Sequence, residues 1–339
     1  MNYSNGSKRR WASAMLVAGG LLWGNAATAG LVNSGKVLAT GGVINVDGAG
    51  GGGIAPWATI SGYATRDGIN GGLHYTWVYL PDYSLNSYGF TAGFFDRLEL
   101  SYTRSTLPTG GTFDTVGLLT DTLQLDTGIE PFNTTIKMDV YGAKLRLFGD
   151  AVYTSDSWIP QVAIGGHWKE NKNPSLLKTL QAADTEDWEA YAVATKIFFP
   201  ISTLVSVAGR YTSANQTGLT GFGGPDGNDK ELRLEVSIAH LLSKNTAFGF
   251  EYAQHGDNLG GHSVELAGLD LTGVTGLLSD LGLNLGDTLT QLPEDDWFDA
   301  FFAYFPNKNI SFVFAYAMLG NITLTPEQHG FYISMHATW

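Results

Sequence analysis

The sequence has no cysteine, which excludes disulfide staples, thiol nucleophiles and thiolate metal sites. Charge is scarce too. Asp, Glu, Lys and Arg make up 15% of the 339 residues, against about 25% in an ordinary soluble domain. With 44% hydrophobic and 12% aromatic residues, that scarcity is not the signature of a disordered chain. Positive charge is the rarer sign. A net charge of -13 offers no excess of cations to displace counterions from phosphates, so no nucleic-acid partner is expected. Long apolar runs are missing as well, since none reaches the roughly 18 residues of a spanning helix. The nearest, Trp11 to Trp23, follows Lys8, Arg9 and Arg10 and precedes Ala27-Thr28-Ala29. A basic stretch, an apolar core and a small-residue cleavage site in that order read as an export signal over residues 1–29, cleaved after Ala29.

In place of these the chain has glycine, 44 residues of it, and alternation. Apolar residues occupy every second position in Leu232 to Ile238, Phe248 to Tyr252, Phe312 to Met318, Val162 to Trp168 and Leu98 to Tyr102. Strand side chains point to opposite faces with period two, so each segment has one apolar face and one small or polar face. A soluble sandwich turns the apolar face inward; a membrane barrel turns it to lipid and lines its lumen with the other.

Three features favour the barrel. Trp168, Tyr191, Phe199, Tyr211, Phe248, Tyr252, Phe298, Tyr304, Phe312 and Tyr316 fit aromatic girdles at the two membrane surfaces. The opposite faces are rich in Gly, Ala and Ser. The last segment, Phe331 to Trp339, places Phe331, Ile333 and Met335 in alternation before a terminal Trp339, and so resembles the signal by which bacterial outer-membrane barrels are handed to the assembly machinery. Connections alternate long and short through ten cases, from an outer segment near Asn321 to Gly330 back to the tight turn Phe95-Asp96-Arg97, as barrels with long outer loops and short periplasmic turns require. The expected fold is therefore all-β, a transmembrane antiparallel barrel over residues 57–339, in contact with outer-membrane lipid. If Trp57 to Leu80 is one bulged first strand, the barrel has twelve strands; if it is two, parity asks for another near Val37 to Val46 and gives fourteen. Twelve is favoured. The glycine-rich residues 30–56 could line or plug the lumen, or form a loose leader.

The stretches LATGG (38–42), GGGGIAPWATISGYATRDGI (50–69), FFDRLELSYTR (94–104), YGAKLRLFGDAVY (141–153) and IPQVAIGGHWKEN (159–171) resemble a proteobacterial outer-membrane protein family of unknown function. The resemblance implies a barrel and brings no activity or functional residue with it.

No catalytic set is recognisable. Seven histidines are scattered, and His255 and His262 near Asp257 and Glu265 read as loop solvation ahead of a weak metal site. Gly48 to Gly53 matches G-x-G-x-x-G in form only, because Pro56 and Trp57 follow where a helix should. The expectation is neither an enzyme nor a protein with a cofactor or metal. Assigning the apolar faces to lipid places Lys144, Arg146, Lys169, Lys196, Arg210 and Arg233 in the lumen with Glu99, Glu235, Glu251 and Asp299. That basic lean suggests a passive channel for small solutes with mild anion preference, or charges that pair and fill the lumen. A second reading is a transporter of hydrophobic molecules, from a leucine-rich outer loop in which Leu277, Leu278, Leu281 and Leu285 fall at helical spacing. A lipid-modifying enzyme or a structural barrel is a third.

Overall fold

The computed structural model describes residues 36–339 apart from 37, 40, 67, 123, 125–126, 131–132, 150–157, 267–268 and 271–291. The export signal of residues 1–29 and the leucines Leu277, Leu278, Leu281 and Leu285 lie outside the described residues. Twelve strands close an antiparallel barrel: β1 (Ile69–Tyr79), β2 (Ser84–Phe94), β3 (Leu98–Pro108), β4 (Thr135–Phe148), β5 (Gln161–Asn171), β6 (Glu186–Phe198), β7 (Thr203–Thr212), β8 (Glu231–Leu241), β9 (Thr246–Ala253), then, after a small hairpin of β10 (Glu265–Leu266) and β11 (Leu269–Asp270), β12 (Trp297–Tyr304), β13 (Ile310–Ile322) and β14 (Thr325–Thr338). Each barrel strand pairs with its neighbour, and β1 pairs with β14 from Gly72↔Thr338 to Tyr79↔Phe331, so no edge remains open.

Alternation decides the faces. In β14 the residues Phe331, Ile333 and Met335 face outward and are exposed, with Trp339 beyond them, while Tyr332, Ser334 and His336 are buried. The outward face carries Tyr88, Phe90, Leu100, Tyr141, Ile164, Trp168, Phe250 and Phe314, all exposed. Several pair across strands, such as Phe90 with Tyr102 and Tyr102 with Tyr141. A continuous apolar, aromatic-bearing girdle around a closed sheet needs lipid around it. No described helix is long and apolar enough to cross a membrane; the strands make the crossing. The two ends differ. At one, four turns are short, 95–97, 199–202, 242–245 and 305–309, beside the longer connection 149–160. At the other, loops 109–134, 172–185, 213–230 and 254–296 are long and carry helices α1 (Asp114–Thr122) and α2 (Pro174–Thr179).

Three expectations change. The first barrel strand begins at Ile69 and not at Trp57. Residues 57–64 alternate apolar and small side chains, but all eight are buried, so none faces lipid; they lie inside the barrel. In β6 the phase is reversed: Tyr191, Val193 and Ile197 are buried inside, and Lys196 sits on the outward face between Ala194 and Phe198. Tyr191 therefore belongs to no girdle and Lys196 to no lumen lining. Lys196 lies two residues from the strand's end, where a long amine can reach the interface. Finally, Asn321 to Gly330 is not a loop. Strands β13 and β14 run on past the girdle to a two-residue turn at Thr323-Leu324.

The tight turn between β2 and β3 is the first anchor of the interior. Phe95 and Asp96 both have positive φ, 55° and 50°, as a primed hairpin turn requires, yet neither is glycine. The Asp96 carboxylate turns inward to Arg146 Nη1 at 2.6 Å and Lys36 Nζ at 2.5 Å.

Candidate functional site

The interior is filled by the chain's own residues 41–64. This segment folds on itself through Asn45 N to Ala49 O (2.8 Å), Val46 N to Gly53 O (2.9 Å), Trp57 N to Gly50 O (3.1 Å) and Gly62 N to Gly41 O (2.6 Å). Its glycines are needed for closeness: a Cβ on Gly52 would collide with the Glu251 carboxylate, and one on Gly53 with the Tyr332 hydroxyl. Of the glycine-rich residues 30–56, those from 41 onward lie in the lumen, and the infolded segment runs on to residue 64; residues 30–35 lie outside the described residues.

Charged wall residues bind that segment. Glu99 Oε1 accepts from Gly50 N at 2.9 Å and Glu99 Oε2 from Ser61 N at 2.6 Å. Lys144, 1% exposed, donates to Gly50 O (2.7 Å) and Trp57 O (3.2 Å) and pairs with Glu99 Oε1 at 3.1 Å. Farther toward the long loops, Lys169 Nζ meets Asp47 Oδ2 of the segment at 3.0 Å, Glu189 Oε1 at 3.1 Å and Thr217 O of an infolded loop at 2.9 Å. Arg210 pairs with Glu189 and, through Nε, with Glu235 Oε1 at 2.6 Å, while its guanidinium lies 5.2 Å from the Tyr191 ring centre. His167 Nδ1 is 2.8 Å from Glu189 Oε1. Burial opposes ionisation of Asp47, but Lys169 beside it holds the carboxyl below its ordinary value. Each of the charges in this cluster thus has an oppositely charged partner, which its desolvation demands.

The structure brings nine of the ten expected lumen charges inside: Lys144, Arg146, Lys169, Arg210, Arg233, Glu99, Glu235, Glu251 and Asp299 are all buried. Lys196 is the exception. Sequence reasoning missed Lys36, Asp47, Asp96, His167 and Glu189. Glu189 shares the strand face of Tyr191, so correct phasing of β6 would have found it. With Glu189 and Asp187 in and Lys196 out, the wall's acids no longer trail its bases, and the basic lean is gone.

Asp47, His167 and Glu189 have ligand atoms within 4.8 Å of one another. That donor set could suit a cation, but Lys169 and Arg210 already neutralise its carboxylates, so the cluster is complete as ion pairs. Ser311 and His336 also meet, Oγ to Nδ1 at 3.0 Å. Both are committed to the plug, Ser311 Oγ to Gly42 O at 2.5 Å and His336 Nε2 to Ile44 O at 3.0 Å.

The remaining arc of the lumen is poor in charge: buried His74, Thr76, Ser87, Ser311, Ser334 and His336 lie there among apolar side chains, and the apolar ones line two cavities. A cavity of about 50 Å³ lies on the long-loop side of the plug, lined by Val78, Leu85, Leu107, Leu319 and Trp297 among others, and a second of about 20 Å³ on the short-turn side is lined by Val43, Trp57, Phe301, Ala303 and Val313. Gly53 borders both. Between them Glu251 Oε2 accepts from Gly53 N (2.6 Å) and Ile54 N (2.8 Å), and the Tyr332 hydroxyl donates to Asp299 Oδ2 (3.0 Å).

The long-loop mouth is covered by residues 213–224, tied to the neighbouring loop by Asp184 N to Phe222 O and Phe222 N to Asp184 O, both 3.0 Å. Glu294 receives a bond from Thr220 Oγ1 at 3.0 Å, and burial pushes its carboxyl up to about 8. His255 stacks on Trp297 with ring centres 4.5 Å apart, and burial pushes it down to about 4. His262 instead lies 3.6 Å from Asp226, so the two loop histidines serve separate contacts.

Residues 40–336 match the model of a family described as "Protein of unknown function (DUF3034)". The chain belongs to this family. No curated protein matches the sequence. Among solved structures the chain is similar to the KdgM porin (8% identity, TM-score 0.43, covering 79% of this chain and 99% of that one). It is also similar to the COG4313 outer membrane channel from Pseudomonas putida F1 (10%, 0.39, 84% and 97%) and to outer membrane phospholipase A from Escherichia coli (11%, 0.38, 82% and 94%). Likenesses at this level say nothing of solute or chemistry. For this member of the family, the closed girdled sheet describes a membrane-spanning β-barrel.

Proposed function

We propose that the protein is an outer-membrane channel for small solutes that residues 41–64 hold shut. The observation that carries this reading is how the plug is attached. The wall closes on itself through twelve continuous strand pairings, and the plug adds no strand to it. It is held by side-chain bonds such as Glu99 to Gly50 and Lys169 to Asp47, which can exchange for water. Drawing the plug aside leaves a wall lined by Lys144, Lys169, Arg210, Glu99, Glu189 and Glu235, a balanced set with weak charge selectivity.

A cysteine pair tests this cleanly in a chain that has none. Ala58 N lies 2.8 Å from Thr195 Oγ1, so Ala58→Cys with Thr195→Cys can tie plug to wall. In a planar bilayer the oxidised protein should give no current steps, and reductant should restore the openings of the parent protein. Absence of steps in parent and reduced proteins alike would remove the channel reading.

A further inference from the structure

We propose that the two apolar cavities are halves of an interrupted route for small uncharged apolar molecules, with the Gly52–Ile54 turn as its gate and Glu251 as the latch. This names a solute class for the channel, and passage along the route rests on that reading. The cavities lie one on each side of the plug, both bordering β12 and β13, and Gly53 is common to them. Their linings decide the class. A charged or strongly polar solute would lose its water there and find Val78, Leu85, Leu319, Phe301 and Val313 in return. An apolar solute loses nothing, and dry apolar cavities are known to take xenon and small hydrocarbons.

The gate follows from the contacts between the cavities. The turn reaches the wall here through two backbone N–H groups that share one acceptor, Glu251 Oε2. It also fits only because Gly52 and Gly53 lack side chains: Glu251 and the Tyr332 hydroxyl occupy the space a Cβ would take. Releasing those two bonds frees the turn to shift, and a shift there joins the cavities without disturbing the Glu99–Lys144 or Lys169–Asp47 contacts across the lumen. The route therefore opens by a local movement, whereas passage of ions needs the whole plug to leave. At about 50 and 20 Å³ the resting cavities hold single small groups, so the molecules concerned are of the size of one ring or a short chain.

Each cavity has its own tryptophan as reporter, Trp297 on the long-loop side and Trp57 on the short-turn side. Crystals of the full chain under xenon pressure should show the gas in both cavities. Bromobenzene added to the detergent-solubilised protein should quench Trp57, read as the difference from Trp57→Phe protein, roughly tenfold faster in Glu251→Gln than in the parent, since an amide replaces the carboxyl group whose Oε2 accepts both N–H bonds of the turn. Trp297, read against Trp297→Phe, should be quenched at the same rate in both. If Glu251→Gln does not assemble, Tyr332→Phe, which removes the hydroxyl beside Gly53, gives the same comparison. Xenon in neither cavity overturns the proposal, as do equal Trp57 rates in parent and variants. Current steps from the reduced cysteine pair without xenon binding would leave the channel standing and remove this route alone.

Discussion

The two arcs of the lumen hold the same plug by different physics. From β3 to β8 the wall grips it with buried ions, Glu99 and Lys144 on Gly50 and Lys169 on Asp47. From β12 through β14 and β1 to β2 it holds the plug by uncharged groups, Ser311, His336 and Ser87 on backbone carbonyls, between apolar stretches at Val78, Leu85, Leu319, Phe301 and Val313 that leave gaps. Ion pairs and hydrogen bonds are directional and break all at once, so the charged arc fixes register. Apolar contact is non-directional, so the stretches of the other arc that line the cavities tolerate sliding. Glu251 on β9 and Asp299 on β12 mark one border between the two.

Removing one member of the charged arc is the strongest way to break this contrast. Glu99→Ala strands buried Lys144 and takes the acceptor from Gly50 N and Ser61 N. The expected loss is about 3–5 kcal/mol of plug attachment, seen as new protease cleavage between residues 41 and 64, while the unboiled protein still migrates as a closed barrel on a gel. Equal protection in variant and parent would show that the ions do not hold the plug. Leu319→Ala enlarges an existing cavity, so a loss of about 2 kcal/mol, at the low end for such truncations, should appear in the thermal midpoint with no new cleavage. Lys196→Ala sharpens the phasing of β6. A lumen lysine would be expensive to remove, whereas a lipid-side lysine near the interface should change stability by about 1 kcal/mol or less.

The last contrast lies at the mouth. Glu294 has a folded pKa raised to about 8 from 4.5. Its contribution is fully present below the lower value and is lost as pH rises through the upper one. His255, lowered to about 4 from 6.5, contributes above the higher value, and that is lost as pH falls through about 4. Emission of Trp297, on which His255 stacks, should therefore change on both the acid and the alkaline side, and Glu294→Gln should flatten only the alkaline side. An unchanged alkaline limb in that variant would exclude Glu294 as its origin.

The barrel was legible because alternation reports a two-faced strand directly, and nine lumen charges followed from it. Alternation separates the faces without saying which is inside. In β6 both faces carry apolar groups, Tyr191, Val193 and Ile197 against Trp188, Ala192 and Phe198, and so Lys196 was placed on the wrong side. Trp57 to Ala64 showed an analogous ambiguity, because a segment surrounded by wall has no lipid face and its alternation means nothing. Asp47 and Asp96 lie in turns, where sequence periodicity carries no information about direction. Their partners become visible only when Lys169 and Arg146 are placed in space.

The turn at Phe95 and Asp96 has one more implication. Asp96 holds Lys36 at the rim where the short turns lie, and β1 starts from that rim at Ile69. The intervening chain enters and leaves the lumen by the same door. A loop with both feet on one threshold can be drawn out and put back without threading an end through the barrel, so opening and reclosing need no topological passage and can be repeated.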